Sequence, residues 1–157
     1  MSGIIGVSPN MKSGVVGKYP SGHVLQTVQD TSETQIDVNN SYQQVIALDI
    51  TNCLATSRLW VNFTVGKYIV ENAATGMHIQ VEITGGTQYR MADHIGYGGA
   101  DTVRSFSGTV VIPASEVSAG TNNVKVTAQR MTGAGASYIN KDTSIAYLTV
   151  MEIADAE

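Results

Sequence analysis

The residue types that carry catalysis and metal binding are few in this chain, and their spacing does not suit either task. Histidine occurs only at His23, His78 and His94. None of them has a second His, Cys or carboxylate at metal-ligand spacing on its own strand face, as a zinc site would require. His94 follows Asp93, but neighbours in an extended segment point to opposite faces, which argues against a dyad there. The Gly-x-Ser-x-Gly elbow of α/β-hydrolases does not occur. Glu71, Glu82, Asp93, Asp101 and Glu116 fall in expected loops or on a polar strand face, without the facing pair that glycoside hydrolysis needs. The run Gly96-Tyr-Gly-Gly-Ala lacks the Gly-Lys-Ser/Thr ending of a phosphate-binding loop. Cys53 is the only cysteine and reads as a small apolar filler near a strand end. Asn62-Phe63-Thr64 matches a glycosylation sequon, which has meaning only on a secretory route. The expectation is a non-enzyme with no cofactor and no metal.

What remains is recognition. Tyr68, Tyr89, Tyr97 and Tyr138 fall in expected loops or strand ends, and an exposed tyrosine ring contributes contact area at low entropic cost. Tyr89, Tyr97 and Tyr138 are the candidate surface-recognition residues, for a host surface glycan or for another protein. The formal charge of -4 with only 14% charged residues leaves no basic patch for a phosphate backbone, so nucleic acid is not an expected partner. No window approaches the roughly 20 apolar residues of a membrane helix. The opening residues show neither a basic n-region nor a continuous apolar stretch, which predicts synthesis in the cytoplasm.

Strands must position these groups. In Arg58 to Val65, Leu59, Val61, Phe63 and Val65 alternate with Trp60, Asn62 and Thr64, the period of two that places successive side chains on opposite faces. This stretch is expected to be the central strand. Met77, Ile79, Val81 and Ile83 alternate in the same way with His78, Gln80 and Glu82, which are expected to form a solvated row. Further strands are expected at 23–29, 34–38, 43–50, 88–91, 103–112, 123–131 and 144–153. Gly66 is expected to end the central strand and Gly108 to kink or bulge its own. Leu54 should dip into the core, a single helical turn should follow Pro113, and 132–142 should be a Gly-rich loop. About eight strands, short turns and no convincing helix predict an all-β fold, an antiparallel β-sandwich of jelly-roll type.

Residues 1–22 form a separate expected unit, an extended arm, with residues 23–157 as the sandwich domain. Gly3, Gly6, Gly14, Gly17 and Gly22 interrupt each apolar run, and Pro9 and Pro20 add breaks. Ile4, Ile5, Val7, Met11, Val15 and Val16 are too many apolar residues for a solvated linker. They are the candidate anchoring residues, against the chain's own domain, a neighbouring subunit or another protein.

The arm, Gly3-Ile-Ile-Gly-Val-Ser-Pro and then Ser13-Gly-Val-Val-Gly-Lys-Tyr-Pro-Ser-Gly-His-Val-Leu-Gln, resembles the start of small virion proteins of tailed phages, marine and cyanobacterial ones in particular. Leu148-Thr-Val-Met-Glu-Ile-Ala is similar to the close of their β-domains. The resemblance implies a virion structural protein, made in the host cytoplasm, that binds the major capsid protein or other virion proteins. It implies a capsid decoration or cement protein that assembles as a homotrimer. The alternative is a head or tail fibre component acting as a receptor- or carbohydrate-binding module. The chain has no fibrous repeat and no heptads, which sets it apart from long fibres.

Overall fold

In the computed structural model, the described residues are 21–70, 76–83, 86–95, 102–131 and 135–155. Their order is β1 (Val24–Ser32), β2 (Ile36–Asp37), β3 (Gln43–Cys53), β4 (Ser57–Val70), β5 (Met77–Ile83), β6 (Gln88–Ile95), β7 (Thr102–Ile112), a 3-10 turn (Ala114–Glu116), β8 (Gly120–Arg130), β9 (Ser137–Ile139) and β10 (Ala146–Ala154). The candidate anchoring residues of the arm and the Tyr97 recognition candidate lie outside the described residues.

Pairing among the eight long strands is nested. The first pairs the last (β1 with β10), the second the seventh (β3 with β8), the third the sixth (β4 with β7) and the fourth the fifth (β5 with β6), all antiparallel. The chain is thus one long hairpin of strand pairs folded on itself. Two more antiparallel pairings, β10 with β4 and β5 with β8, roll that hairpin into two sheets, β1-β10-β4-β7 and β3-β8-β5-β6. This is the jelly-roll arrangement of a β-sandwich. The short β9 continues along β4 where β10 stops, pairing Tyr68 to Val70, and β2 pairs β9.

The two inner faces close on one apolar core. Leu59, Val61, Phe63 and Val65 of β4, with Leu148 and Val150 of β10, meet Ile46, Leu48, Ile79, Val81, Val124 and Val126 of the opposite sheet. The Phe63 and Phe106 rings lie 6.3 Å apart and tilted, within the range where aromatic pairs attract. The expected central strand is central, with a neighbouring strand on each side.

Several local expectations are corrected. Gly66 does not end β4. The strand runs on to Val70 through a register shift between Val65 and Tyr68, and a Cβ at Gly66 would stand 3.0 Å from Ser144 Oγ. Gly108 neither kinks nor bulges β7, whose register is continuous there. A Cβ at this position would lie 2.6 Å from Phe106 Cζ, so Gly108 leaves room for a core ring. Leu54 is 42% exposed in the β3–β4 turn and does not enter the core. The expected loop at 132–142 contains β9. Val45 and Ile46 are both buried because a bulge interrupts the alternation between Gln44 and Ile46.

Candidate interaction surfaces

The two sheets present outer faces of opposite character. On β3-β8-β5-β6, charged side chains are paired: Lys125 with Glu82 at 2.8 Å and His78 with Asp93 across strands, and Arg90 with Asp93 at 3.3 Å within β6. Asn123 donates to the Asp49 carboxylate at 2.7 Å. The row His78, Gln80 and Glu82 points away from the core as expected, but its first two residues are not solvated. Gln80 is only 2% exposed, and His78 and Thr127 are buried too. Gln80 Nε2 and Thr127 Oγ1, cross-strand neighbours, are buried without a hydrogen-bond partner among the described residues. Strand alternation tells which way a side chain points; it does not tell what lies on top of it.

The outer face of β1-β10-β4-β7 carries no charge over three full rows of four residues. Register sets the rows. One runs Val111, Trp60, Met151, Thr27. The next is Thr109, Asn62, Thr149, Gln29, and the third is Ser107, Thr64, Tyr147, Thr31. None of the twelve is buried among the residues whose exposure is described; Val111 is 47% and Tyr147 40% exposed. Neighbours within the rows are knitted by their own polar groups. Asn62 Nδ2 donates to Thr109 Oγ1 at 3.0 Å, and the Thr64 and Ser107 hydroxyls stand 3.1 Å apart. The same face continues past the β4 bulge with Ile69, flanked by Val103 and Tyr138.

The tyrosines expected to form a recognition surface are dispersed. Tyr68 is buried in the core. Tyr89 is half-buried on β6, packed against the core, and burial followed by the Glu116 carboxylate raises its pKa above the ordinary phenol value. Tyr138 belongs to the other sheet, on β9, with Lys141 Nζ 4.1 Å from its ring centre, a cation-π contact. Tyr89 and Tyr138 are therefore not brought together.

One buried polar cluster escaped the sequence reading. Glu152 on β10 is 1% exposed and its carboxylate accepts three hydrogen bonds: from Leu54 N (2.7 Å), from Ser57 Oγ, and from Gln26 Nε2 (2.6 Å). Cys53 lies next to it, buried, and its thiol pKa is raised by desolvation and then by the Glu152 charge. The donors come from β1, from the β3–β4 turn and from the start of β4. They hold that turn to the sheet; no nucleophile is activated, since a raised thiol pKa suppresses the reactive thiolate. The only signal in the sequence was an acidic residue inside an apolar strand, Val150-Met-Glu-Ile-Ala. Among the described residues, no group of three or more His, Cys, Asp or Glu side chains is placed to hold a metal, and no helix is long and apolar enough to cross a membrane.

Comparison with known proteins places the fold. No family model matches the chain, and no curated protein is significantly similar in sequence. Solved structures are similar. Infectious bursal disease virus derived T=1 particles align with a TM-score of 0.57 and 14% identity, covering 99% of this chain and 41% of that one. The Gt strain of the same virus aligns at 0.53 and 13% identity, covering 99% and 43%. Its VP2 subviral particle gives the same figures, 0.53, 13%, 99% and 43%. The chain spans about two fifths of the length of those proteins, and the likeness is one of fold.

Proposed function

We propose that this chain is a non-enzymatic structural protein of a virus particle, a jelly-roll unit attached to the outside of a shell and acting there as a decoration or cement protein. The observation that carries the reading is the nested strand pairing, which gives the described chain a fold like that of particle-forming viral proteins over 99% of its length. The uncharged outer face supports it, because a shell component needs a broad surface that meets protein rather than water. The resemblance of the two chain ends to phage virion proteins supports a tailed-phage source.

In this reading Ile4, Ile5, Val7, Met11, Val15 and Val16 anchor the chain to the major capsid protein or another virion protein, and the chains assemble as homotrimers. Gly22 N–H, in the turn before β1, donates to Ala154 O at 2.8 Å and so is tied to the end of β10. Deleting residues 1–20 therefore leaves the described sheets whole, and the truncated protein folds but no longer binds particles. The fibre-tip alternative, a glycan-binding module using Tyr89, Tyr97 and Tyr138, gains no support from the placement of Tyr89 and Tyr138 on different sheets.

The test is the copy number of the chain in purified particles of the virus that encodes it, by quantitative mass spectrometry against the major capsid protein. A simple fraction of the capsid copy number is expected. A handful of copies would move the assignment to a fibre, and absence from the particle would overturn it.

A further inference from the structure

The uncharged face of β1-β10-β4-β7 has a chemistry that selects its partner, and we infer that it is the surface through which copies of this chain pack on one another. The inference deepens the assembly reading above and rests on it for its setting.

The chain as a whole carries -4, so most pairings between copies bring like charges together, and like charges facing one another across an interface are disfavoured. The three rows escape this because no Asp, Glu, Lys or Arg stands in them. The opposite sheet does not escape it: a copy packed there meets Glu82, Lys125, Asp93 and Arg90.

Hydrogen bonding points the same way. Thr, Ser, Asn and Gln each carry both a donor and an acceptor. A face built of them satisfies an identical face in whatever register symmetry imposes, whereas a face of donors only, or of acceptors only, needs a different partner. Apolar residues lie on either side of the polar middle row. Val111, Trp60 and Met151 run along one side, Tyr147 lies on the other, and beyond the bulge comes Val103, exposed beside the buried Ile69. Four of the six large apolar residues left exposed, Val24, Val103, Val111 and Tyr147, belong to this sheet, among the described residues.

Four strands at about 4.8 Å and three rows at about 6.8 Å give a neutral patch of roughly 400 Å², half of the about 800 Å² that a stable interface takes from each partner. The neutral rows are therefore its centre, and its margin takes in Val103 on one side and, on the other, the row of Val24, Ile153 and Arg58, whose single charge is paired with Asp155 at 4.0 Å.

The experiment is sedimentation velocity on the purified full chain and three variants, each first checked for native circular dichroism and cooperative melting. Thr149→Lys and Thr27→Lys put a cation inside the rows, and Asp49→Lys puts one on the opposite sheet. The wild type is expected to sediment as an oligomer that persists at about 1 M salt, where the Debye length is roughly 3 Å. Thr149→Lys and Thr27→Lys are expected to weaken association by more than about a hundredfold, because a lysine buried without a partner is strongly disfavoured. Asp49→Lys should associate as the wild type does. A monomeric wild type, an oligomer dispersed by salt, or an oligomer indifferent to both threonine variants would overturn the inference. Each of these would leave the copy number per particle, and so the virion assignment, standing on its own.

Discussion

Replacing Glu152 is the most direct probe of what holds the rolled sheets together at the β3–β4 turn. The carboxylate is buried and accepts from Leu54 N, Ser57 Oγ and Gln26 Nε2. Leu54 N and Ser57 Oγ donate to Oε1 and Gln26 Nε2 to Oε2, so in Glu152→Gln the single amide oxygen serves one side only, and Leu54 N–H keeps its acceptor, now a neutral one, only with the NH2 turned against Gln26. The three are not equal in consequence. Ser57 Oγ also donates to Leu54 O at 2.7 Å and keeps that bond. Gln26 is half-buried, also donates to Thr51 O at 2.8 Å, and has water within reach. Leu54 N–H has no such substitute among the described residues. One buried donor left unpaired costs about 1–3 kcal/mol, and lost charge-assisted bonds add to it. Relief of the desolvation of a buried carboxylate subtracts. The expected net loss is about 2 kcal/mol, or roughly 4–8 °C in melting temperature for a domain of this size. Urea unfolding followed by circular dichroism reads it as a lower midpoint at unchanged slope, and hydrogen exchange reads it locally as faster exchange at the Leu54 amide. A variant within about 0.5 kcal/mol of wild type, with Leu54 exchange unchanged, would show that the three bonds do not hold the turn.

Gly108→Ala places a methyl group against the Phe106 ring; overpacking of this kind is expected to destabilise by about 1–3 kcal/mol. The cost should largely vanish in a Phe106→Leu background, as a double-mutant cycle in urea would report. Phe63→Ala, which removes a wholly buried ring, should cost about 3–5 kcal/mol by the same assay; a loss below 1 kcal/mol would contradict its place at the centre of the core. Cys53 should resist a thiol reagent in the native state and react fully in denaturant, since it is buried and its pKa is raised. Rapid stoichiometric labelling of the folded protein would contradict both properties. For pH, Lys67 donates to Asp142 at 2.6 Å and holds that carboxyl below its ordinary value, the hydrogen bond being the first cause and the charge the second. A depressed folded pKa gives stability that is present above the unfolded carboxylate value and lost as pH falls through the folded one. Acidification below about pH 4 should therefore loosen the 140–143 turn, seen as faster exchange of the Asn140 amide, which donates to Lys67 O. Asp142→Asn should remove that dependence.

The sequence showed most of the fold because its signal is local. Leu59, Val61, Phe63 and Val65 face one way and Trp60, Asn62 and Thr64 the other whatever the strand pairs with, so β4 and β5 were legible from period alone. Their extents were not. β4 runs past Gly66 because its glycine sits in a register shift against β7, and that shift is fixed by Phe106 and Arg104, some 40 residues on. β9 has no signature in the sequence, because three residues of strand carry no period; its pairing to Tyr68, Ile69 and Val70 makes it a strand. The nested pairing was legible only as a class, since Gln26 and Glu152 meet across 126 positions and nothing local names either as the other's partner.

The candidate surface was hidden for a related reason. Each of its rows takes one residue from each of four strands, and the order β1-β10-β4-β7 is not the order of the chain. Thr27, Thr109 and Thr149 look like unremarkable polar positions wherever they occur in the sequence. Set side by side by the jelly roll, they make a face from which charge is excluded, on a chain whose charges are free to fall elsewhere. His78 and Gln80 show the converse. Their alternation correctly sends them outward, yet outward is not exposed, because burial depends on what covers a sheet and period speaks only to the sheet itself. The direction of a side chain is therefore a property of its strand, and its partner a property of the assembly. That is why a substitution such as Thr149→Lys, nearly silent within one copy, is expected to register only between copies.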